Sequence, residues 1–463
     1  MGLRGQAAGS PADRAPSRSL WRHRDFMLLW TGQAVSEVGS MVTQVAIPLV
    51  ALLTLHASTL EVALLAAANS AAFLFVALQA GAILDRLRKK PVLVRTDLAR
   101  AVLLASIPLA QAFGALTLAQ LYVVALASSV LTVFFDVAYQ SYLPLLVDPD
   151  QLVEGNAKIG GSGAFAQFAG PGLGGLLVGL VGAAYAVVVD AVSFLISTVA
   201  TAAVRDSEQQ PAPRAAGARL RDEIREGLRF VIRHPVLSRV VGCTGTSNFF
   251  SGMYGAVEVV FLVRVLQASP AVVGLVFSLA AIGGLAGAAT ATRISRRIGS
   301  ARTIWLSLTV TGPFGLLAPA AFPGWGVLLI SAASLFESFG AVVYNTAQVS
   351  YRQAICPPRL LGRMNASVRF IVWGTIPLGA VAGGALGTLA GSRVTLLVAA
   401  LGMWWAALWV IFSPLFGLRD VPATSVEPEQ PAPEQPAPAG GDPPEVRLPA
   451  PAGAAGGAGV PAP

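Results

Sequence analysis

At 463 residues, 54% hydrophobic and only 12% charged, the chain carries far more apolar surface than one soluble core can bury, so a bilayer is its expected solvent. Its net charge of +8 does not signal nucleic acid, because the basic residues fall in short connectors between apolar runs and not on one soluble face. Two cysteines, Cys243 in an apolar run and Cys356 in a connector, make neither a disulfide framework nor a metal-ligand cluster, and read as packing residues.

Residues 1–25 form a basic tail, with Arg4, Arg14, Arg18, Arg22 and Arg24 among Pro, Ser and Gly. The tail lacks the apolar core and cleavage site of a secretory signal, so the first hydrophobic helix is expected to stay in the mature protein. A hydrocarbon core of roughly 30 Å needs about 20 apolar residues per helix. Runs of that size predict spans at Phe26–Leu55, Leu60–Leu84, Val92–Phe113, Leu118–Leu143, Asn156–Val181 and Ala183–Val204. Six more follow at Ser238–Leu266, Ala271–Thr292, Arg302–Phe322, Trp325–Tyr351, Met364–Ala390 and Val394–Phe416. The third and ninth runs are the least regular, interrupted by Asp97, Arg100 and Pro313. The expected fold is an all-α integral membrane protein of twelve transmembrane helices in two pseudo-symmetric six-helix bundles, 26–204 and 238–418.

The segment 205–237 joins the bundles. It opens with Glu208-Gln-Gln-Pro-Ala-Pro213 and continues with Leu220, Ile224, Leu228 and Val231 at helical spacing, which predicts an amphipathic helix on the inner leaflet. After Arg419 the tail, 419–463, repeats Glu-Gln-Pro-Ala-Pro at 429 and 434 and is expected to be disordered. Connectors after the odd-numbered spans hold only Arg264 and Arg393 of the 32 Lys and Arg, which predicts both termini in the cytoplasm of a cell membrane protein. An internal repeat supports the two halves: Ser141-Tyr142, Pro149, Leu152 and Asn156-Ala157 recur 209 residues later as Ser350-Tyr351, Pro358, Leu361 and Asn365-Ala366.

Ionisable groups inside spans need a reason, since a central charge costs about 2.5–3.5 kcal/mol on insertion scales. Glu37 and Glu337 lie near the middle of the first and tenth spans and are the proton-coupling candidates, because a buried carboxyl can exchange a proton between two sides. Asp136, Asp97 and Arg100 sit toward the cytoplasmic ends of their spans and read as a charge network. Glu258, Asp190 and Arg264 lie toward the outer face, where snorkelling would accommodate them. No nucleotide-binding loop is present, and His23, His56 and His234 form no catalytic or metal-spaced set, so no cofactor and no enzyme activity are expected.

Two stretches carry a family resemblance. Gly81-Ala-Ile-Leu-Asp85-Arg86-Leu-Arg88-Lys89-Lys90 resembles the loop 2–3 signature of the major facilitator superfamily, with Arg88 where a second glycine usually stands. Gly170-Pro171-Gly-Leu-Gly174-Gly175 is similar to the motif of that superfamily's drug/proton antiporters, and the chain as a whole resembles the branch with macrolide-efflux proteins and the enterobactin exporter. The resemblance spans Trp21 to Leu418. It implies a cytoplasmic gate of Gly81, Asp85, Arg86, Lys89, Lys90, Asp97, Arg100 and Asp136, closing on the eleventh span near Asn365 to Arg369; Asp85→Asn is expected to cut transport. It implies close packing of the fifth span on a partner such as the eighth, through Gly283, Gly284 and Gly287. It also implies a substrate cavity lined from spans one, four, seven and ten, with Gln33, Gln44, Phe134, Asn248, Phe249, Tyr254, Phe336 and Asn345 as candidates. The function so implied is proton-driven export of a small hydrophobic or amphiphilic compound by a monomer in contact with membrane lipids. The alternatives are an uptake transporter and a transporter-like receptor or assembly partner.

Overall fold

The computed structural model describes residues 19–84, 87–205, 208, 228–356 and 361–420, and within them every side chain except those of 73, 74, 77, 78, 81, 82, 361–363 and 366. Among the described residues the secondary structure is helical throughout, with twelve long helices. In the first half they are α1 Arg24–Leu49, α2 Thr59–Leu84, α3 Lys89–Ala112, α4 Leu118–Leu146, α5 Leu152–Val181 and α6 Ala183–Ala202. In the second they are α7 Leu237–Val260, α8 Pro270–Ile298, α9 Ser300–Gly315, α10 Val327–Ile355, α11 Leu361–Ala390 and α12 Ser392–Trp405. Ten helices are long and apolar enough to cross a membrane by length and composition. α3 is not among them, because Lys89, Lys90, Arg95, Asp97 and Arg100 crowd its first half; in α2 the described side chains give an apolar stretch over Thr59–Ala72.

The two halves repeat in atomic detail. His23 caps α1 by accepting from the Phe26 N–H at 3.1 Å, and His234, 211 residues on, caps α7 by accepting from the Leu237 N–H at 3.1 Å. Burial holds the His234 imidazole below its ordinary range, which favours the neutral form whose Nδ1 can accept. α1 runs on into a π-helical turn, Val50–Thr54, and α7 into another, Phe261–Val265; His56 and Gln267 then take a left-handed φ of 52° in each connector. Gly182 and Gly391, 209 residues apart, close α5 and α11 with φ of 89° and 84°. A side chain is strained there, so Gly182→Ala is expected to cost about 1–3 kcal/mol and to lower the melting temperature in a thermal-shift assay.

Packing repeats as well. α1 lies against α5 and α6, α2 against α4, and α3 against α4 and α6; six helices on, α7 lies against α11 and α12, α8 against α10, and α9 against α10 and α12. The halves meet along two seams, α5 with α8 and α2 with α11. Both seams gather at the end where α1 finishes and α2 begins, here the far end, opposite the basic end that carries Lys89 and Lys90. One large apolar cluster at the far end takes residues from both halves, including Leu49, Val50, Tyr254, Val257, Phe261 and Val273. The clusters at the basic end each belong to one half.

The structure differs from the sequence reading in places with physical causes. α5 starts at Leu152, four residues early, because Asp148 and Gln151 build a capping box around Pro149. Pro313 ends α9 at Gly315, and the chain completes the span with a separate turn, Leu317–Ala320. α12 stops at Trp405, with a further turn at Leu408–Ile411. Most of the amphipathic segment, Asp85, Arg86 and the tail after Asp420 lie outside the described residues.

Candidate functional site

Each half encloses a buried acid cluster. In the first half, Gln33, Glu37, Ser40 and Gln44 fall at helical spacing on one stripe of α1. Glu37 is half-buried, and its Oε2 is shielded from solvent without a hydrogen-bond partner. Gly163 of α5 lies beside it, where a Cβ would make ordinary van der Waals contact with Oε2 at 3.6 Å. Gln33 and Ser162 flank the carboxyl group, and Asp136 and Tyr139 of α4 lie in its electrostatic field. The Tyr139 hydroxyl and Gln33 Oε1 are also buried without partners, whereas Gln44 is exposed.

Behind this stripe, Asp97 and Arg100 of α3 form a buried ion pair. The guanidinium lies between the Phe135 ring at 4.5 Å and the Phe194 ring at 4.2 Å, and donates to Thr132 Oγ1 at 3.3 Å. The second Asp97 oxygen accepts from Ser197 at 2.6 Å, so the pair ties α3 to α4 and α6. Asp136 lies in the field of Arg100. Asp190, expected to snorkel outward, is instead 2% exposed and accepts from Ser193 at 3.1 Å and Ser40 at 3.4 Å. Gly39 of α1 makes the room, since a Cβ there would collide with Ser193 and lie 2.8 Å from the Asp190 carboxylate.

The second half holds Glu258 and Tyr254 on α7 and Ser334 and Glu337 on α10. Glu258 is 7% exposed and accepts from Ser334 Oγ at 3.2 Å, which corrects the expectation that it snorkels. Glu337 packs against Gly315 of α9 and lies in the field of Glu258. Tyr254 is buried beside Ser334 in the field of both carboxyls, and its hydroxyl makes no hydrogen bond within 3.5 Å. Sequence reasoning missed Glu258 because position along a span sets depth, not the face of the helix; its spacing of four from Tyr254 was the available signal.

The glycine motif works on two sides. Gly170 and Gly174 press α5 onto Met41 and Val42 of α1, while Gly172 N–H donates to Ser278 Oγ of α8 at 3.0 Å. A Cβ on Gly175 would meet the Pro270 carbonyl and lie 3.0 Å from Gly274 Cα. Pro171 stands inside α5, its carbonyl facing Gly274. The fifth and eighth helices therefore pair, but through Gly274 and Ser278; Gly283, Gly284 and Gly287 lie on another face of α8, against α10. Arg264 adds a bond across the halves, donating to the Ala57 carbonyl at 2.5 Å.

At the basic end, Gly81 lies in the last turn of α2. Lys89 Nζ donates to the Leu84 and Leu87 carbonyls at 2.6 and 2.8 Å, and Lys90 Nζ to the Val204 carbonyl at 2.5 Å. Glu208 receives both lysine backbone N–H groups, a carboxylate at a helix N-terminus. Of the cavity candidates, Phe134 is half-buried, Asn248 donates to the Val372 carbonyl at 2.9 Å, and Phe249 stands edge-on to Phe250 at 5.3 Å. Phe336 is exposed and stacked on Phe314 at 4.1 Å, and exposed Asn345 accepts from Gln348 at 2.8 Å. A pocket of about 520 Å³ opens beside α7 and α11, lined by Phe249, Gly245, Thr246, Ile371 and Thr375 among others.

Residues 16–439 match the family described as transmembrane secretion effector. Multidrug efflux pump Tap of Mycolicibacterium fortuitum is 28% identical over 422 residues, covering 86% of this chain and 98% of that protein. Among solved structures, the nucleoside transporter NupG superposes with a TM-score of 0.66 at 12% identity, covering 85% of this chain and 99% of its own. A bacterial homologue of the iron transporter ferroportin, at 16% identity and covering 84% and 98%, gives 0.68 in its inward-facing state and 0.54 in its outward-facing state.

Proposed function

The chain belongs to the transmembrane secretion effector family of major facilitator superfamily transporters, and on that premise we propose that it exports a small hydrophobic or amphiphilic compound, such as an antibiotic, drug or siderophore-like molecule, in exchange for protons. The observation that carries proton exchange is Glu37, a half-buried carboxyl on a polar stripe of α1 whose Oε2 is shielded from solvent and has no hydrogen bond. Such a group is costly to leave charged in a membrane and inexpensive to hold neutral, so it trades protons whenever its surroundings alternate. Alternating access is supported by the seams that join the halves at the far end, while the apolar clusters at the basic end each belong to one half. Export is supported by the similarity to a multidrug efflux pump.

The bias of Lys and Arg toward one end supports a cell membrane protein with both termini in the cytoplasm and the far end outside. The gate proposed for the basic end is Asp85 with its neighbours. Everted vesicles carrying the full chain should accumulate ethidium when a pH gradient is imposed and lose it on adding protonophore. Glu37→Gln should abolish the gradient dependence while the protein remains in the membrane. Accumulation indifferent to protonophore would refute proton coupling, and ethidium uptake into right-side-out cells would refute export.

A further inference from the structure

Ser334 of α10 donates to Glu258 of α7 at 3.2 Å, and Glu337, one turn further along α10, lies in the field of Glu258, in a setting unlike that of Glu37. The groups that meet there are Tyr254 and Glu258 from α7, Ser334 and Glu337 from α10, and the bare backbone of Gly315 from α9. Neighbouring cations are engaged elsewhere: Arg264 on the Ala57 carbonyl, and Arg393 on the Pro319 and Ala321 carbonyls at 2.5 and 2.8 Å. In the first half, by contrast, Arg100 stands beside the acids. With Glu258 buried, Glu337 half-buried and no cation beside them, the repulsion between two carboxylates is poorly offset, and one of the two is held neutral.

We propose that Glu258 and Glu337 hold one proton between them and are the proton-binding site of the second half, with Tyr254 as the reserve donor to the pair. Tyr254 carries the case beyond acidic residues alone: it is 6% exposed, lies beside Ser334 in the field of both carboxyls, and its buried hydroxyl makes no hydrogen bond within 3.5 Å. That hydroxyl finds its acceptor when the proton leaves and the second carboxylate forms, while Ser334 stays on Glu258.

The site lies beneath the far-end seal. Tyr254 and Val257 belong to the apolar cluster that joins the halves, and a Cβ on Gly387 of α11 would sit 3.1 Å from Val257. A pair sharing a proton can be buried there, and a doubly charged pair cannot. Proton uptake from water at the open far end therefore permits that end to close, and the proton leaves to water on the opposite side later in the cycle. One carboxyl O–H bond forms and later breaks in each cycle, and water on either side gives and takes the proton.

What the proton drives rests on the antiport reading; the shared proton itself is tested without substrate. Infrared difference spectra of the purified full chain, recorded across pH, should show a protonated-carboxyl band that disappears on alkalinisation. Glu258→Gln and Glu337→Gln should each remove that band or move the pH at which it disappears, because either change ends the sharing. Tyr254→Phe, which alters no charge and little volume, should shift the band with the fold intact. A band unchanged in all three variants would overturn the proposal. A parent chain that shows the band but moves ethidium without regard to the pH gradient would overturn the antiport reading and leave the proton pair standing.

Discussion

Valine at Gly175 should abolish ethidium transport while leaving the protein inserted in the membrane. A Cβ at this position meets the Pro270 carbonyl and the backbone of Gly274, and no flexible side chain can move aside. The two branches of valine cannot be placed without parting α5 from α8. Overpacking of this kind costs about 1–3 kcal/mol, and each 1.4 kcal/mol moves a two-state balance about tenfold. Under the proposed alternating access that cost falls on the far-end-closed arrangement, so the variant should be held open at that end. A cysteine at Ser278, 6% exposed on the α5–α8 seam, would report it. A membrane-impermeant thiol reagent should label it slowly in the parent and quickly in Gly175→Val. Gly179→Val, one helical turn on, has nothing within 4 Å of its added Cβ and should transport normally. Equal labelling in the parent and Gly175→Val would remove the seam from the gating cycle.

Asp97→Asn should have the largest effect on stability, about 3–5 kcal/mol, as expected when one partner of a buried ion pair is removed. Asp97 is fully buried and Arg100 is 5% exposed, so the remaining guanidinium has no water to turn to. Its stacking on Phe135 and Phe194 recovers only part of the loss. The variant should melt well below the parent and aggregate on extraction into detergent. Pairing Asp97→Leu with Arg100→Met removes both charges and should restore much of the melting temperature. If the double variant proves no more stable than Asp97→Asn, the pair matters through shape and not through charge.

The fold was legible in the sequence because the bilayer demands a long apolar run for every crossing, and because the second half repeats the first. The repeat at Asn156 and Asn365 led to two halves, and the structure adds His23 with His234 and Gly182 with Gly391 at nearly the same offsets. The candidate site could be read by depth but not by direction. Glu37 and Glu337 could be singled out because each stands alone mid-span. Glu258 and Asp190 could not, since whether a carboxyl near a helix end turns to water or inward depends on neighbours such as Ser334 and Gly39, which come from other helices. Likewise, that α5 meets α8 was readable from its glycines. Which face of α8 it meets was not, because Gly274 and Gly283 lie on different faces of one helix and a small-residue pattern fits both.

The α5–α8 seam is made of backbone against backbone, with a serine hydroxyl as its polar contact. Contacts of that kind carry no net charge to be screened by salt and no group that titrates in the ordinary range. Changes in ionic strength or acidity of the medium bathing that end therefore leave the seam itself untouched, and a swing in the surroundings has no direct purchase on it. Control must come from within, through what occupies the interior of the two halves.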